Sequence, residues 1–97
     1  MFARIGSWQG SADELEQWIR RGRELVKPSL LQDAGLKAAY WLVDRDAGTA
    51  MIVTFWESEA AMRASEEARL KRQSAMTAST GAKVTTERYE VVDTLLM

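Results

Sequence analysis

Leu36-Lys37-Ala38-Ala39-Tyr40-Trp41-Leu42-Val43-Asp44, then Arg45-Asp46-Ala47-Gly48, then Thr49-Ala50-Met51-Ile52-Val53-Thr54-Phe55-Trp56 is the stretch that decides the fold. Two runs rich in aromatic and β-branched residues flank a four-residue turn whose Gly48 can take a positive φ, the pattern of a β-hairpin. Side chains alternate between the faces of a strand, yet here both parities are apolar. Ala38, Tyr40 and Leu42 share one face and Ala39, Trp41 and Val43 the other, while Met51, Val53 and Phe55 oppose Ile52 and Trp56. A sheet built on this hairpin must be covered on both sides.

Working outward, Phe2 to Trp8 reads as a strand that ends at Gln9-Gly10, with Arg4 on the same parity as Phe2, Gly6 and Trp8. Ser11 and Glu14 form a capping box, and Leu15, Trp18, Ile19, Gly22, Leu25 and Val26 recur at helical spacing, which predicts a helix over 12–26. Pro28 sets its boundary at Lys27, with one more turn expected at Ser29-Leu30-Leu31-Gln32 before Ala34-Gly35. Ser58 caps a second helix, predicted over 59–79, whose inward positions include Ala61, Met62, Ser65, Ala68, Arg69, Arg72 and Met76. After Gly81 the alternation from Lys83 to Asp93 predicts a closing strand.

The order is βαββαβ, an α+β fold of ferredoxin-like topology. Right-handed crossovers place a four-stranded antiparallel sheet under two helices on one face. The opposite face then requires a second copy of the chain, so a homodimer, a dimeric α/β barrel, is expected. A chain of 97 residues suits one domain over 1–97, and at this length only a little over ~60% of the unfolded surface is buried, which leaves apolar area for a subunit contact.

Composition narrows the function classes. A net charge of −1 argues against a general nucleic-acid or anionic-membrane partner. There is no Cys and no His, which removes thiolate and imidazole chemistry and the usual zinc and iron ligands. Neither a signal-peptide pattern nor a run of about 18 apolar residues is present, and with the cysteine-free composition this makes a cytoplasmic location the expectation. No glycine-rich phosphate loop, zincin motif, nucleophile elbow or calcium-loop spacing occurs, so neither a metal nor a nucleotide cofactor is expected.

The junction Trp56-Glu57-Ser58-Glu59-Ala60, the helix after it, Gly81 and the closing Glu87-Arg88-Tyr89-Glu90-Val91-Val92 together resemble the antibiotic-biosynthesis-monooxygenase type of dimeric α/β barrel. That resemblance implies a pocket between helices and sheet. It also implies one of two activities, cofactor-free oxygenation of aromatic phenols or oxidative heme degradation. The heme-degrading members use an Asn, a Trp and a His at positions that fall here near Arg4, on Ser65 and near Ser74; this sequence has neither Asn nor His, which removes the iron ligand. The phenol oxygenases also rely on an Asn and a Trp that these positions lack.

Two roles compete at Arg4. A buried arginine must be paired, and cross-strand Glu87 or Glu90 on the last strand is the structural candidate. The functional alternative is an arginine that holds an anionic or phenolate oxygen. Arg4 and Tyr40 are thus the candidate catalytic residues, Arg4 orienting an oxyanion and Tyr40 donating or accepting a proton. Trp8, Trp56, Met62, Ser65 and Arg69 are the candidate ligand-binding residues. Arg69 and Arg72 are expected to snorkel at the helix edge, Trp18 to be core, and Glu57, Glu59, Glu66 and Glu67 to serve capping and solvation. The expected function is a cofactor-independent monooxygenase-like protein acting on a small aromatic or polyketide-like molecule. The alternative is a non-catalytic binding or accessory homodimer.

Overall fold

The computed structural model describes the backbone of residues 1–77 and 83–97, with side chains over 1–74 and 83–97. The predicted end of the second helix at residue 79, the Gly81 turn and the inward placement of Met76 lie outside the described residues. The elements run β1 (Phe2–Gln9), α1 (Ala12–Arg21), a π-helical segment (Gly22–Val26), α2 (Lys27–Leu30), β2 (Leu36–Asp44), β3 (Thr49–Trp56), α3 (Glu59–Ala64), α4 (Glu66–Thr77) and β4 (Thr85–Glu90). They build a ferredoxin-like antiparallel sheet of order β2-β3-β1-β4, with the helices packed on one face. The hairpin is found where the sequence places it. Gly48 takes φ 69° in its turn, and its carbonyl accepts from Gly10 N–H at 2.9 Å.

α1 begins at the predicted capping box. Ser11 Oγ accepts from Glu14 N–H at 3.2 Å, and Glu14 Oε1 accepts from Ser11 N–H at 2.8 Å. Its apolar stripe buries Leu15 and Trp18, which join Trp8, Val26, Leu30 and Ala50 in the core. Pro28 does not end the helix at Lys27, as the sequence suggested. The turn before it widens to π geometry, with Lys27 N–H reaching Gly22 O, and Pro28 falls in the first turn of α2, where its missing N–H costs little. The helical path therefore continues to Leu30.

The second helix is likewise not one rod. It breaks at Ser65, whose N–H donates to Met62 O at 3.2 Å and whose hydroxyl donates to the same oxygen at 2.7 Å. A serine hydroxyl bonded back into its own helix bends it. β4 is shorter than the predicted 83–93 because its ladder is made with β1 alone, and that strand begins at Phe2; one further bond, Val91 N–H to Met1 O at 2.8 Å, extends it.

Candidate functional site

Three of the four strands turn side chains toward the helix layer here. Arg4, Gly6 and Trp8 on β1, Ile52 and Thr54 on β3, and Thr86 on β4 contribute the floor and sides of a cavity of about 70 Å³. Arg69, Arg72 and Gln73 of α4, with Trp18, Val26 and Leu30, close it from the helix side. The lining is apolar apart from guanidinium, amide and hydroxyl groups. Gly6 lies in the floor, where an added Cβ would sit 3.4 Å from Ile52 Cγ2 and 3.7 Å from Val84 Cγ1, ordinary contact distances. Gly6→Ala is therefore expected to leave the fold intact, since alanine is better tolerated than glycine in a strand. Its methyl group would intrude on the cavity; a thermal melt alongside ligand titration should show unchanged or raised stability with weakened binding.

Arg4 is 4% exposed, and its Nη1 donates to Met62 O at 3.3 Å, Ser65 Oγ at 3.0 Å and Glu66 Oε1 at 3.1 Å. The break at Ser65 is what presents these acceptors. The guanidinium also lies 5.2 Å from the Trp56 ring centroid. Arg4 does not pair with Glu87 or Glu90. It faces the helix layer, Glu87 sits on the opposite parity of β4, and the residue directly across from Arg4 is Arg88. Two like charges in register need a shared counter-ion, and Glu66 supplies it.

Glu66 is the residue that sequence reasoning missed. Its carboxylate accepts from Arg88 Nη2 at 2.8 Å and Nε at 3.1 Å and from Arg69 Nε at 2.9 Å, besides Arg4. Burial works to raise its pKa, but the hydrogen bonds from Arg88 and Arg69 and the charge of Arg4 outweigh it and hold the carboxyl at about 2. Burial pulls the Arg4 pKa down to about 10; Glu66 opposes that shift, while Arg69 and Arg72 add to it. The available signal was the number of arginines on inward positions, Arg4, Arg69, Arg72 and Arg88, which demanded an acid on the same side.

The expected snorkelling of Arg72 and Arg69 is also corrected. Arg72 forms a 2.8 Å ion pair with Asp33, the side chains 10% and 15% exposed, and donates to Ser29 Oγ at 3.3 Å. This ties α4 to the loop after α2. Arg69 donates to Gln73 Oε1 at 3.0 Å and Thr86 Oγ1 at 3.3 Å, so it is held over the cavity.

Of the remaining sequence-named residues, Trp8 lines the cavity and Met62 and Ser65 are buried behind Arg4. Trp56 is fully buried, its Nε1–H donating to Thr54 Oγ1 at 3.0 Å, and it supports Arg4 without lining the cavity. Trp18 is both core and cavity wall. Tyr40 is apart from all of these. It projects from the sheet face opposite the helices, is 56% exposed and packs edge-on against Phe55 at 6.2 Å, because the inward parity of β2 is taken by Ala39, Trp41 and Val43. Among the described residues no three acidic, His or Cys side chains converge as a metal site. No helix among them is long and apolar enough to cross a membrane.

The sheet is covered by helices on one face, with the cavity between the two layers. The family model of antibiotic biosynthesis monooxygenase matches residues 1–73. The chain belongs to that family. No curated protein matches the sequence. Among solved structures, the Streptomyces coelicolor monooxygenase from the gene ActVA-Orf6, in complex with nanaomycin D, superposes with a TM-score of 0.81 at 13% identity over 99% of this chain and 91% of that one. SnoaB, a cofactor-independent oxygenase from Streptomyces nogalater, gives a TM-score of 0.71 at 16% identity over 97% and 95%. A dimeric ferredoxin-like protein from an uncultured marine organism gives 0.70 at 17% identity over 99% and 98%. These likenesses establish the antibiotic-biosynthesis-monooxygenase fold.

Proposed function

We propose that the protein is a cofactor-independent monooxygenase-like enzyme whose cavity binds a small aromatic molecule through an acidic oxygen, a phenolate or enolate, held by Arg4 and Arg69. The observation that carries this reading is a charge imbalance beside an apolar cavity. Four guanidinium groups, Arg4, Arg69, Arg72 and Arg88, share two carboxylates, Glu66 and Asp33. A partly desolvated excess of positive charge is stabilised by an anionic ligand. Burial is the main cause of the lowered Arg4 pKa, and the nearby charges of Arg69 and Arg72 add to it.

The volume bounds the ligand. At about 70 Å³ the cavity is smaller than the ~150 Å³ that takes up benzene, so seating an aromatic ring requires the lining side chains to rearrange. A phenolate seated against Arg4 is electron-rich at its ortho and para carbons and can react there directly with dioxygen. Phenol and O₂ give quinone and water without a metal, and the similarity to SnoaB, named as a cofactor-independent oxygenase, agrees with that route. In this reading Trp8 is a wall of the site, Trp56, Met62 and Ser65 hold Arg4 in place, and the protein works in the cytoplasm.

One observation favours a second reading. Among the described lining residues there is no carboxylate, tyrosine or other proton acceptor, and Tyr40 lies on the far face. The pocket can then hold an anion without generating one, as a binding or accessory protein would. The two separate experimentally. Phenols of one to three rings that ionise near neutral pH are titrated against the protein while oxygen uptake is followed. Turnover that falls tenfold or more in Arg4→Gln, the expected cost of one charge-assisted hydrogen bond of ~1.5–3 kcal/mol, supports the enzyme. Binding that depends on Arg4 without oxygen uptake supports the accessory protein, and absence of any Arg4-dependent binding sinks both.

The outer sheet face is proposed to carry the homodimer contact. Ile5, Tyr40, Leu42, Met51, Val53 and Phe55 share it, with Tyr40 and Leu42 56% and 47% exposed in the single chain. Their parity places them away from the cavity, so Tyr40 is assigned to this contact.

A further inference from the structure

Over residues 66–74, α4 is held to the rest of the molecule by charge and not by apolar burial. None of its side chains there is buried and Leu70 is exposed, whereas α1 sinks Leu15 and Trp18 into the core. A helix with few buried apolar contacts belongs to the least stable part of a structure and opens first. One end of α4 is fixed, because Glu66 stays with Arg4 and Arg88 on the sheet. The helix starts at the break after α3, where Ser65 takes φ −85° and ψ −4° and its carbonyl accepts from Arg69 N–H at 2.8 Å. Seven residues past that break, ~10 Å at ~1.5 Å per residue, Arg72 makes the 2.8 Å ion pair with Asp33 and the 3.3 Å bond to Ser29. Asp33 is itself held by its turn, Asp33 N–H to Leu30 O at 3.0 Å and Gln32 N–H to Ser29 O at 3.1 Å.

We infer that α4 is the door of the cavity, hinged at Ser65 and latched by Arg72 to Asp33, and that an aromatic ligand enters between α4 and the loop after α2. The proposal rests on the reading of the cavity as an anion-anchored aromatic site and deepens it by giving the route in and the residue that controls it. Closed, the cavity is too small for a ring, so part of its lining must move. The sheet side of that lining stands in paired strands, and Trp18, Val26 and Leu30 belong to the core cluster. Arg4 is pinned by three acceptors. The long side chains that remain, Arg69, Arg72 and Gln73, all stand on α4. Swinging α4 outward about Ser65 moves the three together, at the cost of the Arg72–Asp33 pair and the 3.3 Å contact of Arg69 with Thr86. Closure returns Arg69 to the ligand's acidic oxygen and shuts water out. Asp33 lies outside the cavity lining, so it acts on the ligand only through Arg72.

The test follows 4-nitrophenolate binding by stopped flow, through quenching of Trp8 and Trp18 in the cavity wall. The unaltered protein is compared with Asp33→Asn and Asp33→Glu, with thermal melts to confirm that each variant is folded. Loss of the charge-assisted latch in Asp33→Asn should raise both the association and the dissociation rate ~10-fold. Kd should stay close to the parent's, because the closed free and closed bound forms lose the same bond. Asp33→Glu keeps the charge and should stay near the parent in both rates. In this cysteine-free chain the double variant Asp33→Cys with Arg72→Cys should bind fast until a short bis-maleimide joins the two thiols, and then cease to take up the ligand. Rates unchanged in Asp33→Asn, or uptake unaffected by the cross-link, with binding still dependent on Arg4, would overturn the door and leave the anion site standing. If the parent does not bind 4-nitrophenolate, or Arg4→Gln changes nothing, the anion site itself fails and the door falls with it.

Discussion

Replacing Glu66 with glutamine is expected to destabilise the protein by about 2–3 kcal/mol, a large share of the stability of a domain this size. Removing one partner of a fully buried ion pair costs ~3–5 kcal/mol; Glu66 is 29% exposed, so solvent screening reduces the figure. What remains after the substitution is Arg4, in register with Arg88 and close to Arg69, without a counter-charge. Urea unfolding at fixed protein concentration should show the midpoint lowered by about 1–2 M at an m-value of ~1.5 kcal/mol/M. Glu66→Gln combined with Arg88→Gln should recover part of the loss, because it removes one of the two facing cations. A midpoint within experimental error of the parent would mean that the Glu66 contacts contribute nothing net.

The same group sets a pH dependence. Its folded pKa of about 2 lies below the ordinary 4.5, so the stabilisation is fully present above about pH 4.5 and is lost as pH falls through 2. Other carboxylates titrate over that range too. The difference between parent and Glu66→Gln isolates this one, and it should shrink toward zero between pH 4.5 and 2. A difference that stays constant with pH would show that the substitution acts through packing.

Glu66 also illustrates what the sequence could and could not say. Strand and hairpin positions were legible because runs of aromatic and β-branched residues and the Gly48 turn act locally, and the capping box of Ser11 and Glu14 is a four-residue signal. The break at Ser65 was not legible. It depends on a serine hydroxyl choosing its own helix's carbonyl and on Arg4, 61 residues away, filling the opening. Pro28 misled for a related reason: the one-residue widening at Gly22–Val26 that admits its ring has no local sequence signature. Of the residues singled out by parity and residue type, Arg4, Trp8 and Arg69 line the cavity. Tyr40 was misplaced because β2 is apolar on both parities, and only the packing of Trp41 and Val43 against the helices says which side is inward.

That double-sided apolarity supports the second large effect, expected for Val53→Asp. Val53 is in register with Ile5 on one neighbour and with Tyr40 on the other, and Met51 and Phe55 flank it two residues away on the same face. It therefore sits near the centre of the face proposed to meet a second copy. An aspartate there buries a carboxylate from each copy in an apolar contact, where each ion loses hydration worth several kcal/mol. The dimer dissociation constant should rise at least 100-fold, about 2.8 kcal/mol at ~1.4 kcal/mol per decade, measured by sedimentation at several concentrations. Val53→Thr, similar in shape and uncharged, should move it by much less. Arg4 and Glu66 lie on the other side of the sheet, so any folded monomer of Val53→Asp should retain the pH signature of Glu66 and Arg4-dependent binding of a benzoate. If Val53→Asp remains dimeric at the parent's affinity, the contact lies elsewhere, and the apolar outer face would need another cover. If it dissociates and also loses the anion site, the two faces are coupled through the single sheet layer, and the dimer would then be a condition for the pocket.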